Sequence, residues 1–257
     1  MIKLSVIHSL AVIDLIQSGD VQVDAVEVVD KLTSKAITNA KKALPGVEFH
    51  FHPGRIRFDP FSKAKLRSYL TLCPQSPYIS VHLAPLPAYI TTLALRWKRY
   101  LPEPKHEALI KTFIRRIKRL KPQFNTPFIL ENMPVLHPTR YRLESEPVVI
   151  RRVMTETDCP MLLDLTHARI AAEVRGIPVE NYLLALPLER VVQIHVTGAL
   201  RREGKLYDAH EPMEAADYNL LAWALERTQP VWLTLEYFKE DAHALRDQLV
   251  RLREFIK

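Results

Sequence analysis

Short runs of apolar and β-branched residues recur along the chain, separated by stretches whose apolar positions repeat at helical spacing, which is the pattern of strands alternating with helices. Eight runs stand out: "IKLSVIH" (2–8), "VDAVEVV" (23–29), "VEFHFH" (47–52), "YISVHL" (78–83), "PFILEN" (127–132), "MLLDL" (161–165), "VVQIHV" (191–196) and "VWLTLEY" (231–237). The spacing predicts helices over about 32–43, 61–72, 104–120, 145–156, 168–175 with 179–185, 214–227 and 240–256, and least clearly over "SLAVIDLIQSGDVQ" between the first two strands.

Eight strand-and-helix units in 257 residues have the size and rhythm of a (β/α)8 TIM barrel. Strands covered on both faces read as near-continuous apolar runs, as these do. A doubly wound open sheet is the alternative. No linker, low-complexity tract or internal repeat interrupts the chain, so a single domain over residues 1–257 is the economical reading. Segments 91–104 and 201–213 read as long loops on the face where such barrels carry their chemistry.

Composition narrows the class only a little. With 47% apolar side chains the chain can bury a large core, and 36 Lys and Arg against 29 Asp and Glu give a formal charge of +7 that attracts anionic partners. The excess is thinly spread. Its densest run, "FIRRIKRLK" (113–121), sets Arg115, Arg116, Lys118, Arg119 and Lys121 around Phe113, Ile114, Ile117 and Leu120 at helical spacing, the signature of a solvated outer helix face rather than a nucleic-acid surface. Cys73 and Cys159 each precede a proline and form no CxxC motif, which fits a reducing cytoplasm. The N-terminal "MIKLSVIHSLAVIDLI" is interrupted by Lys3, His8 and Asp14 and has no small-residue cleavage site, so it reads as structure and not as a membrane span or an address.

The chemistry is concentrated where the strands end. From the third strand onward the strands finish in His52, His82, Glu131, Asp164, His195 and Glu236, and the residues two places earlier, on the same strand face, are His50, Ser80, Ile129, Leu162, Gln193 and Thr234. Four of those six are polar, a supporting layer beneath a ring of imidazoles and carboxylates. His167 follows Asp164 by three residues, and "YDAHEP" adds Asp208 and His210. Together these positions offer five imidazoles and four carboxylates, a mixed nitrogen and oxygen set that suits iron, zinc or manganese better than calcium or magnesium. Four carboxylates neutralise two divalent ions; a third requires hydroxide or an anionic substrate. Taken alone, Asp164 is better read as the cap of the following helix. His8, Glu27 and His50 are ambiguous supporting groups, and His106, His137 and His243 belong on the surface.

The order His52, His82, "LEN" with Glu131, "DLTH" with Asp164 and His167, "QIHVTG" with His195, "DAH" with Asp208 and His210, then Glu236 resembles the xylose-isomerase-like metal barrels that include endonuclease IV. Within that superfamily the chain is most similar to the multinuclear non-haem iron oxidative enzymes typified by the methanobactin-biosynthesis protein MbnB, through "LLDLTHARIAAEVRG", "NYLLALPLERVVQIHVTG", "YDAHEP" and "LEY", with "VDAVEVV", "HFHPG" and "SVHLAP" extending the likeness.

The resemblance implies two or three divalent metal ions, with iron first and zinc or manganese as alternatives. His52, His82 and Glu131 would hold one; Glu131 would bridge to a second held by Asp164, His195 and Glu236; His167, Asp208 and His210 would hold a third. Glu131, Asp164, His195 and Glu236 would then be the catalytic set. It implies oxidative modification of a peptide or amino-acid-derived small molecule, with a separate peptide-recognising partner protein and no membrane or nucleic acid. Two positions depart from the iron enzymes: His167 stands where they commonly carry Asn, as in endonuclease IV, and Phe238 replaces an acidic residue. The first makes zinc-dependent phosphodiester hydrolysis the alternative. Sugar isomerisation ranks lower, because no lysine stands near a strand end.

Overall fold

The computed structural model describes residues 1–53, 62–83, 105–135 and 143–256. Its strands are β1 (Lys3–Ile7), β2 (Ala25–Val29), β3 (Glu48–His52), β4 (Ile79–His82), β5 (Phe128–Glu131), β6 (Met161–Asp164), β7 (Val191–Val196), β8 (Gly198–Arg202), β9 (Lys205–Glu211) and β10 (Trp232–Leu235). The helices are α1 (Leu10–Gln17), α2 (Ser34–Ala43), α3 (Ser62–Leu72), α4 (His106–Leu120), α5 (Pro147–Thr157), α6 (Leu165–Arg175), α7 (Val179–Ala185), α8 (Ala215–Leu225) and α9 (Ala242–Phe255).

Eight parallel strands run in the order β3-β2-β1-β10-β7-β6-β5-β4, a nearly closed TIM barrel in which each strand is followed by helix or loop on the outside. β3 and β4 share no ladder; side chains close that seam instead. Ser76 Oγ accepts from the backbone N–H of Phe51 at 2.9 Å, and Ser80 Oγ lies 2.6 Å from His52 Nδ1.

Strand alternation divides the side chains into two sets. Phe49, Phe51, Val81, Leu130, Leu163, Ile194, Leu233 and Leu235 face outward into one apolar cluster with the helices, where each fully buried side chain contributes about 1.5–3 kcal/mol. Their neighbours, which include most of the ionisable residues of the strands, face the barrel interior. The N-terminal end of that interior is plugged: His50 Nε2 lies 3.0 Å from Glu48, its ring meets Trp232 edge-on at 4.4 Å, and Lys3 Nζ sits 4.9 Å above the Trp232 ring. His50 therefore belongs to the floor of the barrel.

Local chemistry explains where elements begin. The weakest helix pattern does fold, as α1: its sequence "LAVIDLIQ" is apolar almost throughout, which blurs the period, but Ser9 caps it by accepting from Val12 N–H at 3.1 Å and Glu240 accepts from Ala11 N–H at 3.0 Å. Helix α6 starts at Leu165, ahead of the expected 168, because Asp164 serves as its N-cap, and it ends at Gly176 in the left-handed region at φ 65°. Helix α4 buries Phe113, Ile117 and Leu120 and exposes Arg115, Lys118 and Arg119, the solvated face that its spacing predicts. Cys73 and Cys159 are buried free thiols. No helix among the described residues is long and apolar enough to cross a membrane.

One expected loop is corrected. Residues 201–213 are not a long loop but mostly a hairpin, β8 and β9, turned by Glu203 (φ 50°) and Gly204 (φ 75°), the two positive-φ residues that a tight hairpin turn demands. Charged residues on both sides of the turn hid the strand alternation. The hairpin is fixed to α6 by Glu173, which accepts from Leu206 N–H at 2.9 Å and from Arg201 at 2.6 Å. Its register shifts between Gly198↔Glu211 and Leu200↔Tyr207, so β9 carries a bulge, and His210 within it has φ 50°. The second expected loop, 91–104, lies outside the described residues.

At the base of the hairpin a Cβ on Gly198 would stand 2.1 Å from the carbonyl oxygen of Pro212 and 2.7 Å from that of Glu211, both backbone atoms. Gly198→Ala is expected to destabilise the protein by roughly 1–3 kcal/mol in urea unfolding; an unchanged midpoint would show that the hairpin base tolerates displacement.

Candidate metal centre

The C-terminal ends of the barrel strands meet in a cavity of about 430 Å³ lined by Val29, Asp30, Lys31, His52, His82, Glu131, Met133, Pro134, His167, Asp208, His210, Glu236 and Phe238. Seven of the nine expected ligands line it directly. Asp164 and His195, each 0% exposed, form its deeper wall.

The first expected set is tight. His82 Nε2 lies 2.7 Å and His52 Nε2 3.7 Å from Glu131 Oε2. In the second, His195 Nδ1 lies 3.3 Å from Glu236 Oε1, and Glu131, Asp164 and His195 offer ligand atoms within 4.8 Å of one another. The third is more open: His167 Nε2 lies 3.2 Å from Asp208 Oδ2, His210 Nε2 3.7 Å from Asp208 Oδ1, and His210 Nδ1 3.9 Å from Glu236 Oε2. Asp208 and His210, two places apart on β9, both line the cavity, on the stretch where the strand bulges.

The hydrogen bonds around these groups leave the atoms that face the cavity unused. Glu131 Oε1, Asp164 Oδ2, Asp208 Oδ1 and His210 Nδ1 are buried without a hydrogen-bond partner, while Glu131 Oε2 and His195 Nδ1 have only the ion-pair contacts to His82 and Glu236. Orphaned polar atoms of this kind are rare and costly, and a shared cation is the partner that would satisfy both the acids and the imidazole lone pairs. The donor set fits a metal on that ground. Asp164 reconciles the two readings open for it: Oδ1 caps α6 by accepting from His167 N–H at 2.6 Å, and Oδ2 is left for the cavity.

Other atoms aim the ligands. Ser80 holds His52 by its Nδ1 at 2.6 Å, leaving Nε2 toward Glu131 and Glu236. His167 Nδ1 donates to the carbonyl oxygen of Asn132 at 2.8 Å, leaving Nε2 toward Asp208. Asn132 also pairs with the backbone of Asp164 twice, donating to its carbonyl and accepting from its N–H, each at 2.9 Å. This residue escaped the sequence reading. The signal was available in "LEN", where a polar residue continues an apolar strand. Asp30, Lys31, Met133 and Pro134 on the wall were missed as well, Phe238 joins them there, and Lys31 corrects the view that no lysine stands near a strand end.

Of the ambiguous histidines, His8 is half-buried with Glu240 as its charged neighbour, and burial lowers its pKa. His106 pairs with Glu146 at 2.8 Å and His243 with Asp247 at 3.3 Å on the surface, while His137 lies outside the described residues.

The electrostatics are those of an acid and base mosaic taken out of water. Burial opposes ionisation of Glu131, yet His82, His52 and His167 outweigh it and hold the carboxyl down at about 2. Burial likewise opposes ionisation of Glu236, and His195 and His210 pull it well below the carboxylate range. Asp164 is the exception: burial, with Glu236, Asp208 and Glu131 nearby, outweighs the facing His167 and pushes it up to about 7. Burial disfavours charge on His167 and His195 too, but the surrounding carboxylates win and raise both. His52 goes the other way, since burial dominates and lowers it.

A model of the family described as "RiPP precursor modification enzyme MbnB/TglH/ChrH" matches residues 58–254. A UPF0276 protein of Acaryochloris marina is 25% identical over 158 residues, 61% of this chain and 57% of the relative. Another, of Shewanella oneidensis, is 29% identical over 126 residues, 49% of this chain and 43% of the relative. The matches thus span about half the length of these relatives. Among solved structures, 3-keto-D-glucoside 4-epimerase from E. coli aligns over 99% of this chain and 100% of its own at 16% identity, with a TM-score of 0.57. A xylose isomerase domain protein from Planctomyces limnophilus aligns over 99% and 96% at 14% identity, with a TM-score of 0.55. At these identities the likeness is one of fold, that of the xylose-isomerase-like barrels.

In the metal-free protein Asp164, His167 and His195 hold protons more tightly than they do when unfolded, so their contribution to stability is full at low pH and is lost as pH rises, for Asp164 between its unfolded value of 3.8 and about 7. A cation must displace those protons. Zinc binding near pH 7 is therefore expected to release protons, read by calorimetry in buffers of different ionisation enthalpy, with affinity falling as pH is lowered toward about 6. Binding without proton release would contradict the protonation of these groups.

Proposed function

The chain belongs to the MbnB/TglH/ChrH family of RiPP precursor modification enzymes, and on that premise we propose that it is a multinuclear, iron-dependent enzyme that oxidatively modifies a side chain of a ribosomally made peptide. The observation that carries the metal part is the set of buried, unpartnered ligand atoms on Glu131, Asp164, Asp208 and His210 that face one cavity. His52, His82 and Glu131 hold the first ion, Glu131 reaches a second held with Asp164, His195 and Glu236, and His167, Asp208 and His210 hold a third. Iron held there supplies redox chemistry with dioxygen.

The chain's own residues do the rest. Three divalent ions carry about two more positive charges than the four carboxylate ligands neutralise, and that surplus favours an anionic substrate group, such as a thiolate, at the cavity. The cavity's volume of about 430 Å³ admits a side chain or a chain end rather than a folded domain. Depth excludes bulk water from the innermost of these groups, since Asp164 and His195 are 0% exposed and Glu236 5%. Delivery of the peptide falls to a separate recognition protein in this reading.

Hydrolysis of phosphodiesters is the second reading, and His167 is the observation that favours it: an imidazole with Nε2 3.2 Å from Asp208 is a zinc-type ligand where the iron enzymes commonly carry Asn.

His82→Ala and Glu131→Ala are expected to lower metal content while leaving the circular dichroism of the barrel intact; unchanged stoichiometry in both would refute the ligand assignment. His167→Ala should reduce three bound ions to two, and His167→Asn should keep the third site occupied but weaker, because the amide oxygen still coordinates. After anaerobic loading with Fe(II), oxygen-dependent turnover of a precursor peptide encoded beside the gene is expected. Its absence, together with cleavage of abasic-site DNA in the presence of zinc or manganese, would replace the oxidative reading with the hydrolytic one.

A further inference from the structure

Glu27 is buried, 2% exposed, and stands on β2, a strand that contributes none of the expected ligands. It reaches past β1, where the small Ser5 faces the interior in register with Thr234, to touch side chains of β7 and β10. Its Oε1 accepts from Gln193 Nε2 and from Thr234 Oγ1, the latter at 2.6 Å, and its Oε2 lies 3.3 Å from His195 Nε2. His195 is thereby held between two carboxylates, Glu27 on its Nε2 side and Glu236 on its Nδ1 side at 3.3 Å.

We propose that Glu27 is a positioning residue that fixes His195 with its proton on Nε2, so that the Nδ1 lone pair faces the second metal position beside Glu236. The proposal rests on the metal reading above. Gln193 is the other group able to set this tautomer, since its Nε2 lies 3.1 Å from His195 Nε2. Both of its N–H bonds are already taken, however, one by Glu27 and one by Thr234 Oγ1 at 3.0 Å. Nothing is left to donate to His195 Nε2, so that nitrogen is the donor and Glu27 the acceptor. On the far side His195 Nδ1 is buried and faces only Glu236, beside which a cation would be shared by the two groups. Carboxylates placed behind a metal-bound imidazole orient the ring and make it a stronger ligand.

The test is cobalt(II) titration of the metal-free full-length protein, following the ligand-field absorption, with wild type, Glu27→Gln, Glu27→Ala, His195→Ala and the double variant Glu27→Ala/His195→Ala. Glu27→Ala is expected to weaken one class of site by about 10–100-fold and to change its absorption band, while the site of His52, His82 and Glu131 stays filled. Glu27→Gln should recover most of the affinity, because its amide oxygen can still accept from Nε2. The double variant should match His195→Ala alone, since a group that acts only through His195 has nothing further to lose. Wild-type affinity and spectrum in Glu27→Ala, or an equal loss in the His195→Ala background, would overturn the proposal. Wild-type protein that takes up no cobalt would overturn the metal reading along with it. Should the alanine variant fail to fold, nitrogen-15 spectra of the zinc-loaded wild type decide: a proton on Nε2 of His195 supports the assignment, and a proton on Nδ1 refutes it.

Discussion

Everything at the mouth of this barrel follows from one electrostatic constraint: Glu131, Asp164 and Glu236 are all at most 5% exposed and within reach of the same small volume. Each ion removed from water costs several kcal/mol, and like charges in one site add to that cost. The fold lowers it by interleaving imidazoles between the acids, so that His82 and His52 face Glu131, His195 faces Glu236, and His167 lies between Glu131 and Asp208. Interleaving is incomplete. The orphaned oxygens and nitrogens that remain mark where a positive charge fits, and Asp164, which the imidazoles fail to hold ionised, shows where the balance breaks down without one.

Such an arrangement needs a frame that does not relax. The barrel supplies it in layers: an outer apolar cluster, an inner polar layer of Glu27, Ser80, Gln193 and Thr234, and the ligands above. Much of the aiming is done by atoms that never meet the cavity. Asn132 locks the ends of β5 and β6 together through two bonds of its side-chain amide to the backbone of Asp164 and turns His167 with its own carbonyl, so one residue positions two strand ends at once. Strand β9 does comparable work from outside the barrel, presenting Asp208 and His210, two places apart, to the same cavity from an added hairpin.

The barrel and the ring of ligands were largely legible in the sequence, because strands buried on two faces print as apolar runs and a charged residue at the end of such a run is conspicuous. His52, His82, Glu131, Asp164, His195 and Glu236 all announce themselves that way. What escaped was whatever depends on partners distant in sequence. Glu27 stood out in the sequence only as an ambiguous supporting group, because it sits mid-strand and only the fold reveals that Gln193, 166 residues away, and Thr234, 207 residues away, meet it. Asn132 differs from an ordinary polar strand end only by what lies across β6. The hairpin was misread because Arg201, Arg202, Glu203 and Lys205 make its turn look like solvated loop.

The floor built by Glu48, His50, Trp232 and Lys3 makes the barrel a blind well. A chain cannot be threaded through it, so whatever is acted on must be dipped in from one side and withdrawn the same way. On the proposed function, traffic is ordered: ions would have to be seated before a substrate stoppers the opening, and each event of modification would end with the full retreat of the modified group. On the function proposed above, such a well admits one residue per visit, and any choice among several residues of a peptide is made by what presents them at the rim.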